Sequence, residues 1–203
     1  MPGRDMRSGE PSDRDDASLM AGVRGGSTAA FEHVLQRYWA ALVRYAARQL
    51  GDVDLAKDVV QEVFIQVWCR RAEWQVSGSV KAYLYTVTRS LVIDEQRRRK
   101  VRIRWAERTR HDDRIGPPTP VQLLGEAEAR SAYERALGLL PARRREVFDL
   151  VHSRGLSHQE AAAIMGVSVQ TVANQMSAAL AHLRRAVQSA IDDATSPPPP
   201  TTA

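Results

Sequence analysis

The stretch "RGLSHQEAAAIMGVSVQTVANQMSAALAHLRR", residues 154–185, decides the fold of this chain. Ser157 with Glu160 three residues on forms a capping box, so a helix is predicted to start there. It buries Ala161, Ala162 and Ile164 or Met165, and Gly166 stops it. Ser168 caps a second helix that buries Val172, Met176, Ala179 or Leu180, and Leu183. Small Ala162 lets the helices approach, and Val172 closes their core. Two helices on a short glycine turn make a helix-turn-helix, although a plain structural hairpin has the same pattern. The outer face separates the two readings. Gln170, Thr171, Asn174 and Gln175 cluster at the start of the second helix, where a recognition helix meets base edges in the major groove. Asn and Gln can pair bidentately with adenine, and Thr can pack on a thymine methyl. Ser168 and the free amides of the first turn suit a phosphate.

Outward from this motif the chain reads as helical throughout. The block from about 122 to 193 adds a helix over roughly 126–139 and another from Pro141, a favoured first helical position, burying Val147, Phe148 and Val151. In the block from 17 to 105, Phe31, Val34, Leu35, Tyr38, Leu42, Val43, Ala46 and Leu50 make one apolar stripe that Gly51 ends. Leu55, Val59, Val63 and Val67 make a second, widened by Val60, Phe64 and Trp68. A third helix starts at Ser79 and buries Val80, Leu84, Val87 and Leu91. Period-two alternation is not convincing anywhere. The expected fold class is therefore all-α: two small helical domains on a flexible linker, the second holding the helix-turn-helix. The boundaries are a disordered tail at 1–16, a first domain at 17–105, a linker at 106–125, a second domain at 126–193 and a Pro-rich tail at 194–203.

Charge narrows the function. The 203 residues carry a net +5, while Lys81 to Arg104 alone holds eight basic and two acidic residues, an excess of six. Arg97, Arg98, Arg99, Lys100, Arg102 and Arg104 put six cations into eight residues with no acid among them, which suits phosphate more than mere solubility. Tyr83, Tyr85, Thr86, Arg89 and Ser90 lie just before, and aromatics beside a cationic strip suit unstacked bases. Either tyrosine also fits a partly buried place. Asp94, near the stripe, is expected to pair with a neighbouring Arg. Asp58, Gln61 and Glu62, with Ile65 beside them, form an acidic, amide-rich face, which is either an ordinary solvated face or a protein-docking surface.

Other classes find little support. Cys69 is the single cysteine, so no internal disulfide forms. His33, His111, His152, His158 and His182 have no metal-ligand spacing with it, and no glycine loop cradles a phosphate, so neither enzyme chemistry nor a cofactor is expected. The charged N-terminus is no signal peptide, and no apolar run reaches the ~18 residues of a membrane span, so a cytoplasmic protein without membrane insertion is expected. A helix-turn-helix repressor or activator acting alone would need a ligand pocket or a dimer face, and neither is visible.

The ordered segments also resemble a known family. "STAAFEHVLQRYWAALVRYAARQLGD", "AKDVVQEVFIQVW" and "YLYTVTRSLVIDEQRRRK" are similar to the first conserved domain of sigma factors of bacterial RNA polymerase, of the extracytoplasmic-function (ECF) group. "LPARRREVFDLVHSRGLSHQEAAAIMGVSVQTV" resembles the second. The resemblance covers about 18–190. It implies a factor that binds core RNA polymerase, through the beta-prime clamp and the beta subunit, and brings it to promoter DNA. The first domain would melt and read the minus-ten element, and the second would read the minus-thirty-five element. Asp58, Gln61, Glu62, Phe64 and Trp68 match the clamp-docking helix. Tyr83, Arg89, Ser90, Asp94, Arg97, Arg98, Arg99 and Lys100 fall on the minus-ten helix, and Ser168, Gln170, Thr171, Asn174 and Gln175 on the minus-thirty-five helix. Tyr83 stands where the family usually has Trp, and Ser90 where it has Asn. The recognition helix carries Ala173, Gln175, Ala178, Leu180 and His182 where Lys or Arg is usual. Its stretch "TVANQMSAAL" is closer to the iron-citrate-uptake-like branch, which implies an anti-sigma partner, membrane-bound in that branch.

Overall fold

A computed structural model describes residues 13–73, 79–107 and 127–195, and among these it contains helices and no strand. The chain divides into two compact units, residues 1–114 and 115–203. Residues 1–12 of the tail expected at 1–16, residues 196–203 of the tail expected at 194–203 and residues 108–125 of the linker expected at 106–125 lie outside the described residues.

The first unit contains α1 (Asp13–Arg24), α2 (Thr28–Leu50), α3 (Val53–Cys69), a short 3-10 turn (Arg71–Glu73) and α4 (Val80–Glu107). α2 begins where Ser27 Oγ accepts from the Ala30 amide and ends at Gly51, whose φ of 70° needs a residue without Cβ. Val34, Tyr38, Leu42, Tyr45, Ala46 and Leu50 face the core. Those of α3 are Ala56, Val59, Val60, Val63, Phe64 and Val67. Tyr45 meets Tyr85 of α4 edge to face, with centroids 5.2 Å apart.

Two expectations are corrected here. The tail was expected to run to residue 16, but α1 begins at Asp13. Its Asp16 is buried and accepts hydrogen bonds from the Tyr38 hydroxyl and the Arg37 guanidinium, so a charged segment is tied down by partners on another helix. Gly22 lets α1 lie close: a Cβ there would stand 2.8 Å from that of Ala30. The buried stripe of α4 is also rotated. It is Val80, Leu84, Tyr85, Thr88, Val92 and Glu95, while Val87 and Leu91 are only half-buried. Thr88 tolerates burial because its hydroxyl donates to Leu84 O at 2.7 Å, and Glu95 because Arg98 and Arg102 pair with it.

The second unit contains α5 (Ala127–Leu139), α6 (Ala142–Phe148), a π-helical turn (Asp149–Ser153), α7 (His158–Met165) and α8 (Val169–Thr195). Pro141 is the N-cap of α6 rather than its first residue, with ψ at 141°. Arg145 donates to Gly138 O at 2.8 Å and Leu140 O at 2.9 Å, which satisfies carbonyls at the end of α5. Leu150, not Val151, enters the core, because the π turn advances the register. The capping box of Ser157 and Glu160 is complete, and Gly166 closes α7 with φ 64°. Ala161, Ala162, Ile164 and Met165 pack against Val172, Met176, Ala179 and Leu183 of α8, the interior of the expected helix-turn-helix.

Asp52, the N-cap of α3, makes a further tie. It accepts from the amides of Leu55 and Asp54 and from Arg99 of α4, the last at 2.8 Å. The Leu55 amide first, then Arg99 and the Asp54 amide, hold its carboxyl below the usual 3.8 against partial desolvation. A depressed folded-state value means stabilisation that is present above the unfolded value and lost as pH falls through the folded one. Asp52→Asn is expected to be less stable than wild type at pH 7. The difference should shrink below about pH 3.8 in denaturant titrations across pH.

Candidate nucleic-acid interface

α8 presents a polar face directly opposite its buried one. Ser168, Gln170, Thr171 and Asn174 are exposed, and Gln175 is half-buried at the edge. Ser168 Oγ accepts from the Thr171 amide at 3.1 Å and lies 2.8 Å from its hydroxyl. Gln170 Nε2 donates to Asn174 Oδ1 at 2.9 Å, so these amides are held as a pair. Gln175 Oε1 accepts from Arg144 Nε at 3.1 Å. Sequence reasoning missed Arg144, which belongs to α6 and lies 31 positions away. A row of three arginines at 143–145 was the available signal.

The basic strip of α4 differs from the expectation of unbalanced cations. Arg97 pairs with Asp94 at 3.4 Å, as expected of Asp94, and Arg98 with Glu95 at 3.7 Å. Arg102 also reaches Glu95. The balancing acids sit one or two turns back on the same helix, outside the eight-residue window. Arg97, Arg98 and Lys100 remain exposed. Arg99 does not belong with them. It donates to Leu50 O at 3.0 Å and to Asp52, so it fastens α4 to the α2–α3 junction. Gln96 assists by donating to Gln49 O at 2.9 Å. Of the aromatic positions, Tyr85 is core. Tyr83 is half-buried, and desolvation raises its hydroxyl above 10.0 with Arg70 opposing. Ser90 is exposed and Arg89 half-buried.

On α3, Asp58, Gln61 and Glu62 are exposed beside Ile65, whose exposure of 48% is high for an isoleucine. Gln66 donates to Glu62 at 2.9 Å. Phe64 is not on this face. It is buried, 6.0 Å from the Phe31 ring and 6.1 Å from Trp39. Trp68 is half-buried, 4.9 Å from Phe31, with Arg71 over its ring at 4.4 Å. These two aromatics therefore support the face from beneath or at its edge.

The helix-turn-helix with an outward amide cluster and the basic helix of a separate unit define a DNA-binding protein of two helical parts. Comparison with known proteins makes this specific. Residues 34–102 match the family described as Sigma-70 region 2, and residues 130–183 match Sigma-70, region 4. The chain is 30% identical over 173 residues to the ECF RNA polymerase sigma factor SigL of Mycobacterium tuberculosis, covering 83% of this chain and 95% of that one. It is 32% identical over 179 residues to the RNA polymerase sigma factor CnrH of Cupriavidus metallidurans, covering 83% and 92%. Against the ECF sigma factor SigE of Mycolicibacterium smegmatis, 29% identical over 171 residues, it covers 82% of itself and 66% of the relative. The solved structure of CnrH in complex with the cytosolic domain of CnrY superposes with a TM-score of 0.58 at 28% identity, over 90% of this chain and 99% of that one. The chain belongs to the ECF sigma factors of the sigma-70 family. It is a transcription initiation factor that binds core RNA polymerase and directs it to specific promoters. A repressor acting without polymerase is not favoured. No described helix is long and apolar enough to cross a membrane.

Proposed function

We propose that the two units divide promoter recognition, the first docking on polymerase and handling the minus-ten element, the second reading the minus-thirty-five element. The observation that carries this is α8, with Val172, Met176, Ala179 and Leu183 inward and Gln170, Thr171 and Asn174 outward. A helix built this way lays its N-terminal side chains on base edges. Asn174→Ala is expected to cost about 1–3 kcal/mol on the preferred minus-thirty-five element, the worth of a good bidentate pair. The loss should be confined to one or two A·T positions, with little change on scrambled DNA. Selection over randomised minus-thirty-five sequences, with wild-type and variant holoenzyme, checks this. Identical preferred sequences would remove Asn174 from base reading.

In the first unit, Asp58, Gln61, Glu62 and Ile65 form the docking face for the beta-prime clamp, with Phe64 and Trp68 supporting it. The beta subunit is a further contact of the holoenzyme. Tyr83, Arg89, Ser90, Arg97, Arg98 and Lys100 form the minus-ten surface, with Asp94 positioning Arg97. Arg99 is reassigned to holding the fold. Replacing Arg97 and Arg98 by Ala should therefore weaken promoter opening and flatten its salt dependence, each lost contact removing about 0.7–0.9 from the slope. Base preference should hold, because phosphate contacts position and do not specify. Arg99→Ala should instead lower the thermal stability of the first unit. If Arg99→Ala changes only the salt slope, its reassignment is wrong.

The protein acts in the cytoplasm and without catalysis of its own in this reading. The stretch "TVANQMSAAL" supports a place near the iron-citrate-uptake-like branch. That placement, with the likeness to CnrH bound to the cytosolic domain of CnrY, supports an anti-sigma partner held at a membrane. Co-purification from membrane and soluble fractions tests it.

A further inference from the structure

Arg144 of α6 meets the recognition surface from outside the recognition helix. Its Nε donates to Gln175 Oε1 at 3.1 Å. A guanidinium has N–H donors and no acceptor, so only the carboxamide oxygen of Gln175 can face it. The Gln175 oxygen is thereby held toward Arg144, and the two N–H donors of the amide are its groups left for a base. Adenine offers one acceptor, N7, and one donor, N6–H, so bidentate pairing needs the glutamine oxygen as well as its nitrogen. Here one of that oxygen's two lone pairs accepts from a charged donor on another helix, whereas the Oδ1 of Asn174 accepts from the neutral, exposed amide of Gln170, which a base can displace. Guanine presents acceptors only, N7 and O6, and matches an amide that offers donors.

A second observation concerns charge. Between Val169 and Leu183, α8 carries no Lys or Arg. Arg144 therefore brings a cation from another helix to the flank of this face. Only its Nε is engaged among the described residues, and the two terminal nitrogens of the fork remain for another ligand. A phosphate oxygen is what an arginine fork beside a groove-reading helix fits best.

We propose that Arg144 determines specificity at the minus-thirty-five element: through Nε it orients Gln175 to read a guanine, and through its terminal nitrogens it binds a neighbouring phosphate. This rests on the reading of α8 as the minus-thirty-five helix. One side chain then couples backbone grip to base readout, and it supplies a cation that the stretch of α8 from Val169 to Leu183 lacks.

The test is selection over randomised minus-thirty-five sequences with reconstituted holoenzymes, together with the salt dependence of promoter binding. Gln175→Ala should lose roughly tenfold discrimination at a G·C position distinct from those of Asn174. Arg144→Ala should lose preference at that same position and also flatten the salt slope by about 0.9. Arg144→Lys should restore the slope but not the guanine preference, because an ammonium lacks the planar fork. If Gln175→Ala changes the preference and Arg144→Ala does not, the minus-thirty-five reading stands and this inference falls. Loss at an A·T position, or full recovery by Arg144→Lys, would also overturn it. If neither Asn174→Ala nor Gln175→Ala alters the selected sequence, α8 is not the reader, and the inference falls with that reading.

Discussion

Glu62→Lys is expected to abolish promoter-dependent transcription while leaving the protein folded. Glu62 is exposed on α3, between Asp58, Gln61 and Ile65, in a chain whose net charge is otherwise positive. An acidic face with an exposed apolar residue is a poor surface for DNA and a suitable one for a basic protein partner. Reversing one charge at the centre of such a contact replaces attraction by repulsion, which costs several kcal/mol. At roughly 3 kcal/mol the affinity for core polymerase falls on the order of a hundredfold. The fold should not notice. Among the described residues Glu62 accepts a hydrogen bond from Gln66, one turn along the same exposed face, and it holds no other element in place. Glu and Lys have similar helix propensity, and surface changes usually stay within about 0.5 kcal/mol. Equilibrium binding to core enzyme and thermal melting of the free protein measure the two halves of the expectation. Wild-type affinity in the variant would return this face to ordinary solvated surface.

Arg154→Met is expected to act the opposite way, through folding alone. Arg154 pairs with Asp149 at 3.4 Å, and their side chains are only 7% and 4% exposed. The Arg154 amide also donates to Asp149 O at 3.0 Å where the π turn ends. Removing the guanidinium takes the charged partner Arg154 away from the buried Asp149 carboxylate, and breaking such buried pairs costs about 3–5 kcal/mol. In a unit this small, that is a melting-temperature loss of more than about 10 °C. Arg154→Met combined with Asp149→Leu should recover most of it, because an apolar pair of similar volume needs no counter-charge. Differential scanning calorimetry of the full chain decides. A shift in the single variant as small as in the double would show that Asp149 is not stranded by the loss.

The residues that were legible in the sequence are those whose partners are near in sequence. Ser157 and Glu160, Ser168 and Thr171, and Gly51 and Gly166 act within one turn of helix, so spacing alone located the ends of α2 and α7 and the start of α8. The helix-turn-helix and its exposed amide face were readable for the same reason. What was not legible depends on distant chain. Asp16 looked like part of a charged tail because Arg37 and Tyr38 lie 21 and 22 positions away. Arg99 looked like one phosphate ligand among several because Asp52 is 47 positions away. Phe64 followed the docking helix by resemblance, but Phe31 and Trp39 of α2 enclose it. Thr88 and Glu95 hid the true stripe of α4, because a polar residue becomes a core residue only when its bond or ion-pair partner is known.

The division into two units has an optical consequence. Trp39, Trp68, Trp74 and Trp105 are the four tryptophans of the chain, and all fall within residues 1–114. Indole emission therefore reports the first unit alone, whereas far-ultraviolet ellipticity sums the helices of both. Trp68, at the edge of the acidic face of α3, lies where its emission would report whether a protein docks there. A single denaturant titration followed at both signals separates the unfolding of one unit from that of the other, with no label added.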